Sequence, residues 1–242
     1  MKKLFIGCLL SIGMLSAETI DVFGATATKL AMEELKKEFL KNRTEDRINL
    51  HIGASGKAYA QFNNGMKYDM FFSADRKYPE SIKENGNASS NVEVYAYGVL
   101  TLYSLEKSLL KSDLSTMNSP KIKKIAIANP KLAPYGVAAM EILEKFPLTK
   151  EKIVMGDNVA QAVHFVDSGS ADVGFIPYSL LKENEKISGE FVIIDKKFHQ
   201  PLEHCFVTTT SGKEKKLTAE FSKFVLSTKG KAIIKKYGFE TK

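Results

Sequence analysis

The chain has 242 residues, with 35 lysines and arginines against 28 aspartates and glutamates, and a formal net charge of +7. This length accommodates one large domain or two smaller ones, each with its own hydrophobic core. The positive charge is spread along Lys-rich segments and forms no clustered basic face, which argues against nucleic-acid binding.

Residues 1–17 have the layout of a secretory signal peptide. A basic start, MKK, precedes an apolar stretch over residues 4–15, and small residues lead to Ala17. An apolar run of about a dozen residues is too short to span a bilayer, so we expect cleavage near Ala17 and a periplasmic protein. The alternative is an N-terminal core helix. The remaining chain keeps one cysteine, Cys205, which excludes an intrachain disulfide.

In chain order, the first part of the sequence alternates predicted strands with predicted helices. The segments 19–25, 48–54 and 68–74 have the β-branched and apolar composition of strands. The segments 28–42, 56–65 and 78–86 have the apolar spacing or the terminal glycine of helices. This order predicts a parallel sheet with helices on its faces.

The second part begins with a long predicted strand over residues 94–105, which contains Gly98. Further strands are predicted over 124–130, 152–157, 171–181 and 190–196, and helices over 136–146 and 158–169. The tail, 216–239, predicts two helices divided near residues 227–230.

These elements predict two α/β lobes joined by crossing strands near residues 96–98 and 202–207, with a cleft between the lobes. We assign residues 18–97 and 205–242 to lobe 1 and residues 98–204 to lobe 2. In open α/β sheets, ligands bind beyond the carboxyl ends of the strands, where helix N-termini point.

The segment 53–57, GASGK, is similar to a phosphate-binding loop but lacks two required residues. The P-loop pattern is G-x-x-x-x-G-K-[ST]. His51 stands where the first glycine belongs, and Ala58 stands where the hydroxyl residue belongs. Ser55 and the backbone N–H groups at the start of the following helix still suit an anion. The alternative is that Ser55 only caps this helix.

Three other segments repeat this arrangement of a strand end, polar or small residues and a helix start. They are GATAT (24–28) with Thr26 and Thr28, APYG (133–136) with Tyr135, and GDNVAQA (156–162), where Asp157 or Asn158 is a candidate cap. Two of the four segments fall in each predicted lobe. Four helix starts facing one cleft would form a site rich in neutral N–H and O–H donors.

Six segments, in this order, resemble the periplasmic molybdate-binding proteins of ABC importers (ModA type), which are type II periplasmic binding proteins. They are VFGATAT (22–28), GASGKAYAQ (53–61), DMFFSAD (69–75), IANPKLAPYG (127–136), GDNVAQAVHFVDSGSADVGF (156–175) and STKGKAIIKKYGF (227–239). The resemblance spans nearly the whole chain after the signal peptide. It implies an α/β fold of two lobes, each a mostly parallel sheet flanked by helices, with the ligand cleft between them.

The resemblance also implies the ligand, which is molybdate or tungstate bound without water and without a counter-charge. It implies ligand hydroxyl groups from Thr26 and Ser55 and backbone N–H groups from Ala27 and Val159. Ala27 stands where relatives often have serine or asparagine, so a side-chain donor is missing there.

Two tyrosines are candidates for a phenol donor to the anion. Tyr135 matches a position that is a small residue in one branch of the family and a tyrosine in another. Pro177 occupies the position of a ligand tyrosine of one branch, with Tyr178 one residue further on. We therefore expect Tyr135 to supply the phenol, with Tyr178 and Thr28 as secondary candidates for the site.

The resemblance implies the membrane permease of an ABC importer as the partner, no cofactor, no cation site, and a monomer. A binding protein for another tetrahedral oxyanion, such as sulfate or phosphate, is the nearest alternative. An organic-acid site would need an arginine for its carboxylate. Arg43, Arg47 and Arg76 all lie outside the four anion segments.

An exported hydrolase or transferase is the alternative from another class. Residues 104–107 and 179–182 match S-x-x-K, but the companion motifs of that catalytic family are absent. The four histidines, His51, His164, His199 and His204, lack zinc-ligand spacing, and we expect them in the core or on the surface. We therefore predict a binding protein and not an enzyme.

Overall fold

A computed structural model describes residues 17–182 and 187–242 of the chain. The predicted signal peptide lies outside these ranges except for Ala17. None of the helices in these ranges has the length and apolar character that a membrane crossing requires.

Ten strands and seven α-helices alternate along the described chain. The strands are β1 (Thr19–Ala25), β2 (Arg47–Gly53), β3 (Met70–Phe72), β4 (Glu93–Gly98), β5 (Leu100–Ser104), β6 (Ile125–Ala128), β7 (Ile153–Gly156), β8 (Val173–Pro177), β9 (Glu190–Ile193) and β10 (Leu202–Thr208). The helices are α1 (Lys29–Leu40), α2 (Ser55–Asn63), α3 (Lys77–Glu84), α4 (Pro134–Leu143), α5 (Val159–Asp167), α6 (Lys216–Leu226) and α7 (Thr228–Lys236).

The strands form two five-stranded sheets with the orders β2-β1-β3-β10-β4 and β7-β6-β8-β5-β9. In the first sheet β1 runs parallel to β2 and β3, and β10 runs antiparallel to β3 and β4. In the second sheet β6 runs parallel to β7 and β8, and β5 runs antiparallel to β8 and β9. Each sheet is therefore mixed. The predicted parallel order is found among β1, β2 and β3 in the first sheet and among β6, β7 and β8 in the second.

The chain crosses from one sheet to the other where a single long strand was expected. β4 ends at Gly98 in the first sheet, and β5 begins at Leu100 in the second. β10 leads back, and its first residue, Leu202, pairs with Gly98. The lobe boundaries expected at residues 97/98 and 204/205 thus fall at the end of β4 and inside β10.

Each sheet is covered by helices that bury apolar side chains against it. The first sheet packs Phe72 and Phe206 against Met32 of α1 and Phe221 of α6. The second packs its own set, including Ile125, Ile127, Ile142 and Phe175. Because the two sets of buried side chains are distinct, each sheet has a core of its own. Full burial of one such side chain stabilises a protein by about 1.5–3 kcal/mol.

The C-terminal tail forms the two helices that the sequence predicts. Ser227 divides α6 from α7, and its Oγ accepts a hydrogen bond from the Gly230 N–H (3.1 Å). This is the ordinary N-cap interaction, which satisfies a first-turn N–H that has no partner inside the helix.

Candidate functional site

A small pocket lies between the two sheets, where three helices and one short 3-10 helix begin. It contains about 220 Å³ of space not filled by atoms, part of it open to solvent. This central pocket is lined by Ala25, Thr26, Ala27, Gly53, Ala54, Ser55, Ala74, Ala133, Pro134, Tyr135, Asn158 and Val159. None of these residues is charged at neutral pH.

The structure brings together the five principal residues predicted for the site. Thr26 and Ala27 open the 3-10 helix Thr26–Thr28 directly after β1, and Ser55 is the first residue of α2 after β2. Tyr135 is in the first turn of α4, and Val159 is the first residue of α5 after β7. Because β1, β2, β6 and β7 point their carboxyl ends at the pocket, the helices that follow direct their N-termini into it.

The first backbone N–H groups of these helices have no hydrogen-bond acceptor within their own helix. In α5 the Asn158 side chain caps the helix by accepting from the N–H groups of Ala160 (2.9 Å) and Gln161 (3.1 Å). The N–H of Val159, ahead of both, has no acceptor inside its helix. The sequence left the cap open between Asp157 and Asn158, and the structure assigns it to Asn158.

The first available N–H of α4 belongs to Tyr135. Pro134, the residue before it, has no N–H, and the N–H of Gly136 donates to the Ala133 carbonyl oxygen (2.9 Å). The N–H of Tyr135 is therefore the orphan donor of this helix start. A helix N-terminus with such a donor attracts negative charge.

The Tyr135 phenol, the expected side-chain donor, contacts a buried histidine. Its hydroxyl lies 3.2 Å from Nε2 of His204, a fully buried residue of β10. Burial raises the pKa of the Tyr135 phenol, which stays protonated. The phenol therefore contacts His204, and the Tyr135 backbone N–H is a second candidate donor beside the expected phenol.

Ser55 offers both a hydroxyl and a backbone N–H. Its side chain is buried, and its Oγ accepts a hydrogen bond from the Ala74 N–H (3.1 Å). This contact fixes the oxygen and leaves the hydroxyl hydrogen available for an acceptor in the pocket. Thr26, the other predicted hydroxyl donor, is half-buried at the edge of the same pocket.

The two secondary candidates lie outside the central pocket. The Thr28 hydroxyl donates to the Ala25 carbonyl oxygen (2.8 Å), as expected of a buried hydroxyl that closes a turn. Tyr178 packs its ring against Phe191 and Gly238 on another side of the molecule. Neither side chain is available to a ligand in the central pocket.

Besides the Tyr135–His204 contact, two further hydrogen bonds among the described residues cross from one sheet's side of the pocket to the other. The Gly56 N–H donates to the Leu132 carbonyl oxygen (2.8 Å), and the Ser179 hydroxyl donates to the Ala27 carbonyl oxygen (2.7 Å). A Cβ atom at Gly56 would lie 2.5 Å from the Tyr78 hydroxyl and 3.0 Å from the Leu132 carbonyl oxygen, so glycine favours this close approach. The sequence suggested Gly56 as an anion donor, whereas the structure pairs its N–H with Leu132.

Charged side chains surround the pocket without entering it. Lys57 is exposed and lines an adjoining opening with His51 and Asp157. Arg76, the arginine nearest to an expected anion segment, pairs with Glu203 (2.8 Å) and Glu80 (3.2 Å). Within residues 17–182 and 187–242, no group of three or more His, Cys, Asp or Glu side chains could hold a metal ion. The pocket therefore offers an anion only neutral donors.

Comparisons with known proteins agree with this geometry. The family model for bacterial extracellular solute-binding proteins matches residues 20–240. The molybdate-binding protein ModA of Azotobacter vinelandii is 30% identical over 93% of this chain and 91% of its own. ModA of Rhodobacter capsulatus is also 30% identical, over 93% of this chain and 89% of its own.

The same similarity is seen among solved structures. The periplasmic molybdate-binding protein of Azotobacter vinelandii superposes with a TM-score of 0.85 at 32% identity, covering 92% of this chain and 99% of that chain. The predicted fold, two lobes built on separate sheets with a cleft between them, is thereby confirmed.

Proposed function

Because this chain belongs to the bacterial extracellular solute-binding proteins, we propose that it captures molybdate or tungstate and delivers it to the membrane permease of an ABC importer. The observation that carries the proposal is the central pocket, in which neutral donors converge and no charged side chain is present. The two ModA relatives, similar over nearly their whole length, support molybdate as the ligand.

Neutral donors stabilise a dianion through oriented dipoles. In a site from which water is excluded, each hydrogen bond is stronger than in water, and helix N-termini add their partial positive charge. We assign the donors to the hydroxyls of Thr26 and Ser55 and to the N–H groups of Ala27, Tyr135 and Val159. The ligand enters as an oxyanion, so the site needs no cofactor and no direct cation ligands.

Donor-only walls also select among anions. A protonated oxyanion would place an O–H against an N–H, and a buried donor without an acceptor costs about 1–3 kcal/mol. The spacing of the helix starts selects for size, because donors about 2.7–3.2 Å from a larger anion are too far from a smaller one. The alternative ligand is sulfate, which is also a tetrahedral oxyanion without a proton but is smaller than molybdate.

The two sheets define the lobes that close on the ligand. In this proposal lobe 1 contains residues 18–97 and 205–242 and lobe 2 contains residues 98–204. The boundary residues Gly98 and 202–204 form the hinge, and because they pair within the first sheet they move with it. The Gly56–Leu132 and Ser179–Ala27 hydrogen bonds form only when the lobes meet, so they favour the closed form that holds the anion.

The cellular setting follows from the same proposal. A signal peptide cleaved near Ala17 exports the chain to the periplasm, where it acts as a monomer and carries its ligand to the permease. The pocket has no counterpart of a catalytic acid–base pair, which supports a binding role over a hydrolase or transferase.

Calorimetric titration of the purified chain with molybdate, tungstate, sulfate and phosphate tests the function. We expect tight binding of the first two anions and little or no heat from the others. Tight sulfate binding without molybdate binding would contradict the proposed ligand and favour the alternative.

A further inference from the structure

A row of four buried polar side chains runs behind the central pocket. It consists of Thr28, Tyr95, His204 and Tyr135, each at most 4% exposed. His204 contacts the Tyr135 hydroxyl through Nε2 (3.2 Å) and the Tyr95 hydroxyl through Nδ1 (3.4 Å). Burial raises the pKa of the Tyr95 phenol, and the Thr28 side chain is close enough to that phenol to oppose the rise. We call these four residues the buried row.

The buried row connects the two sides of the pocket. Tyr135 belongs to α4, which packs on the second sheet, whereas His204 and Tyr95 belong to β10 and β4 of the first. Thr28 directly follows Ala27, and Tyr135 supplies the orphan N–H of α4. Both ends of the row therefore touch backbone that lines the pocket.

His204 is the middle member and is electrically neutral. Burial lowers the pKa of its imidazole to about 3, and the rings packed on it are those of Tyr95, Tyr135 and Phe239. A neutral imidazole has one N–H donor and one nitrogen acceptor. It can therefore satisfy two phenols at once, donating to one and accepting from the other, without adding a charge behind the pocket.

We propose that His204 is a positioning residue of the oxyanion site, which holds the start of α4 against the first sheet through the Tyr135 phenol. In the closed form this hydrogen bond keeps the Tyr135 N–H aimed into the pocket. When the lobes separate, Tyr135 leaves His204 and the contact is exchanged for water. The inference rests on the proposed function, because it assumes that closure of the lobes retains an oxyanion.

The test is a double-mutant cycle on the dissociation rate of molybdate, measured by stopped-flow displacement. Tyr135→Phe removes only the hydroxyl, and His204→Phe keeps a ring while removing both nitrogens. Each single variant should raise the dissociation rate about three- to tenfold, with the association rate within about twofold of wild type, as expected for one neutral hydrogen bond. The double variant should release molybdate no faster than the faster single variant.

Folding stability separates positioning from a purely structural role. Replacing both hydrogen-bonding partners by apolar groups of similar shape is nearly neutral for stability. The double variant should therefore regain part of the urea midpoint lost by His204→Phe, while its molybdate release stays fast. His204→Gln, which keeps a polar group near the Nε2 position, should slow the release again. Tyr237, directly after α7, has a half-buried phenol that donates to Glu34 of α1, so Tyr237→Phe is the matched control and should leave release unchanged.

Two results would overturn the inference. Unchanged dissociation in Tyr135→Phe would show that the hydroxyl does not stabilise the closed form. Single effects that multiply in the double variant would show that the phenol and His204 act independently, as they would if the phenol bound the anion directly. Titration of the wild-type protein tests the proposed ligand separately from the role of His204. If the wild type binds sulfate and not molybdate, the same mutant cycle is run with sulfate.

Discussion

Gly98 leaves open the space that the Tyr135 hydroxyl occupies. A Cβ atom on Gly98 would overlap this oxygen and come within 3.0 Å of His204 Nε2. The last residue of β4 is thus glycine for a steric reason, because the Tyr135 phenol, from the helix that packs on the second sheet, lies against it. The crossing between the sheets and the start of α4 fit together through this contact.

Gly98→Ala is expected to hinder closure of the lobes. Overpacking of a well-packed core costs about 1–3 kcal/mol, and here that cost falls on the closed form, in which Tyr135 reaches Gly98. Molybdate affinity should fall by the corresponding factor of about 5 to 150. Small-angle scattering should show a radius of gyration that no longer contracts when molybdate is added. Wild-type contraction in this variant would contradict the steric argument.

Ser55→Ala removes the more deeply buried of the two predicted ligand hydroxyls of the central pocket. A hydrogen bond to a charged group contributes about 1.5–3 kcal/mol, so the Kd for molybdate should rise by a factor of about 10 to 150. Calorimetry provides the measurement. Ser73→Ala is the matched control, because Ser73 is equally buried, bonds Asp75 (2.8 Å) and does not line the pocket. Equal losses in the two variants would argue against a ligand role for Ser55.

Asn158→Asp tests whether the pocket depends on being uncharged. The carboxylate can still cap α5, and a negative charge at a helix N-terminus is favourable, so thermal stability should be kept or rise slightly. Next to a dianion the same charge is repulsive, and molybdate binding should weaken by more than tenfold. Asn158→Ser, which caps without a charge, should bind nearly as wild type. Undiminished binding in the aspartate variant would contradict a site of neutral donors.

Ser179→Ala removes a hydrogen bond that joins the two sides of the pocket. The Ala27 carbonyl oxygen loses its donor only in the closed form, so the variant should release molybdate faster by about two- to tenfold. Association should be unaffected, since it starts from the open form. Stopped-flow displacement measures both rates, and Ser168→Ala, an exposed serine of the same lobe, is the control. A slower association with unchanged release would count against this role.

The buried imidazole predicts a dependence of stability on pH. The folded protein holds the pKa of His204 near 3, whereas an unfolded histidine titrates near 6.5. Between these values the unfolded chain binds a proton that the folded chain does not, so the stabilising contribution present above pH 6.5 is lost as the pH falls toward 3. The slope for one proton is about 1.4 kcal/mol per pH unit.

Urea unfolding of wild type and His204→Phe between pH 7 and pH 4 measures this contribution. Carboxylates titrate in both proteins, so the difference between the two curves isolates the histidine. The wild-type curve should be steeper below pH 6.5. Parallel curves would show that His204 can be protonated in the folded protein.

Much of the candidate site can be predicted from local sequence, and what cannot be predicted depends on contacts between residues distant in the chain. A strand end followed by a hydroxyl or a small residue and a helix start locates Ser55 and Val159, because helix N-termini expose N–H groups wherever they occur. The orientation of the Tyr135 phenol depends on Gly98 and His204, which are distant in sequence. No local pattern encodes that contact, so the hydrogen bond between the Tyr135 phenol and His204 could not be predicted from the sequence.

The fold shows the same division between local and distant information. The βα order and the Ser227 cap are local signals, and both are found as predicted. The interruption of the predicted strand over residues 94–105 is not visible in the sequence, because β4 and β5 have similar β-forming composition. Only their pairing with β10 in one sheet and with β8 in the other separates them. The antiparallel half of each sheet was missed for the same reason.

The backbone contact between Gly56 and Leu132 has a mechanical consequence for release. It lies on the rim of the pocket and, like the Ser179–Ala27 contact, joins neutral groups. At these two contacts, a permease that pulls the lobes apart therefore has to break neutral hydrogen bonds and no ion pair. Such a closure opens under modest force applied at the outer ends of the lobes, where the lever arm to β4 and β10 is longest.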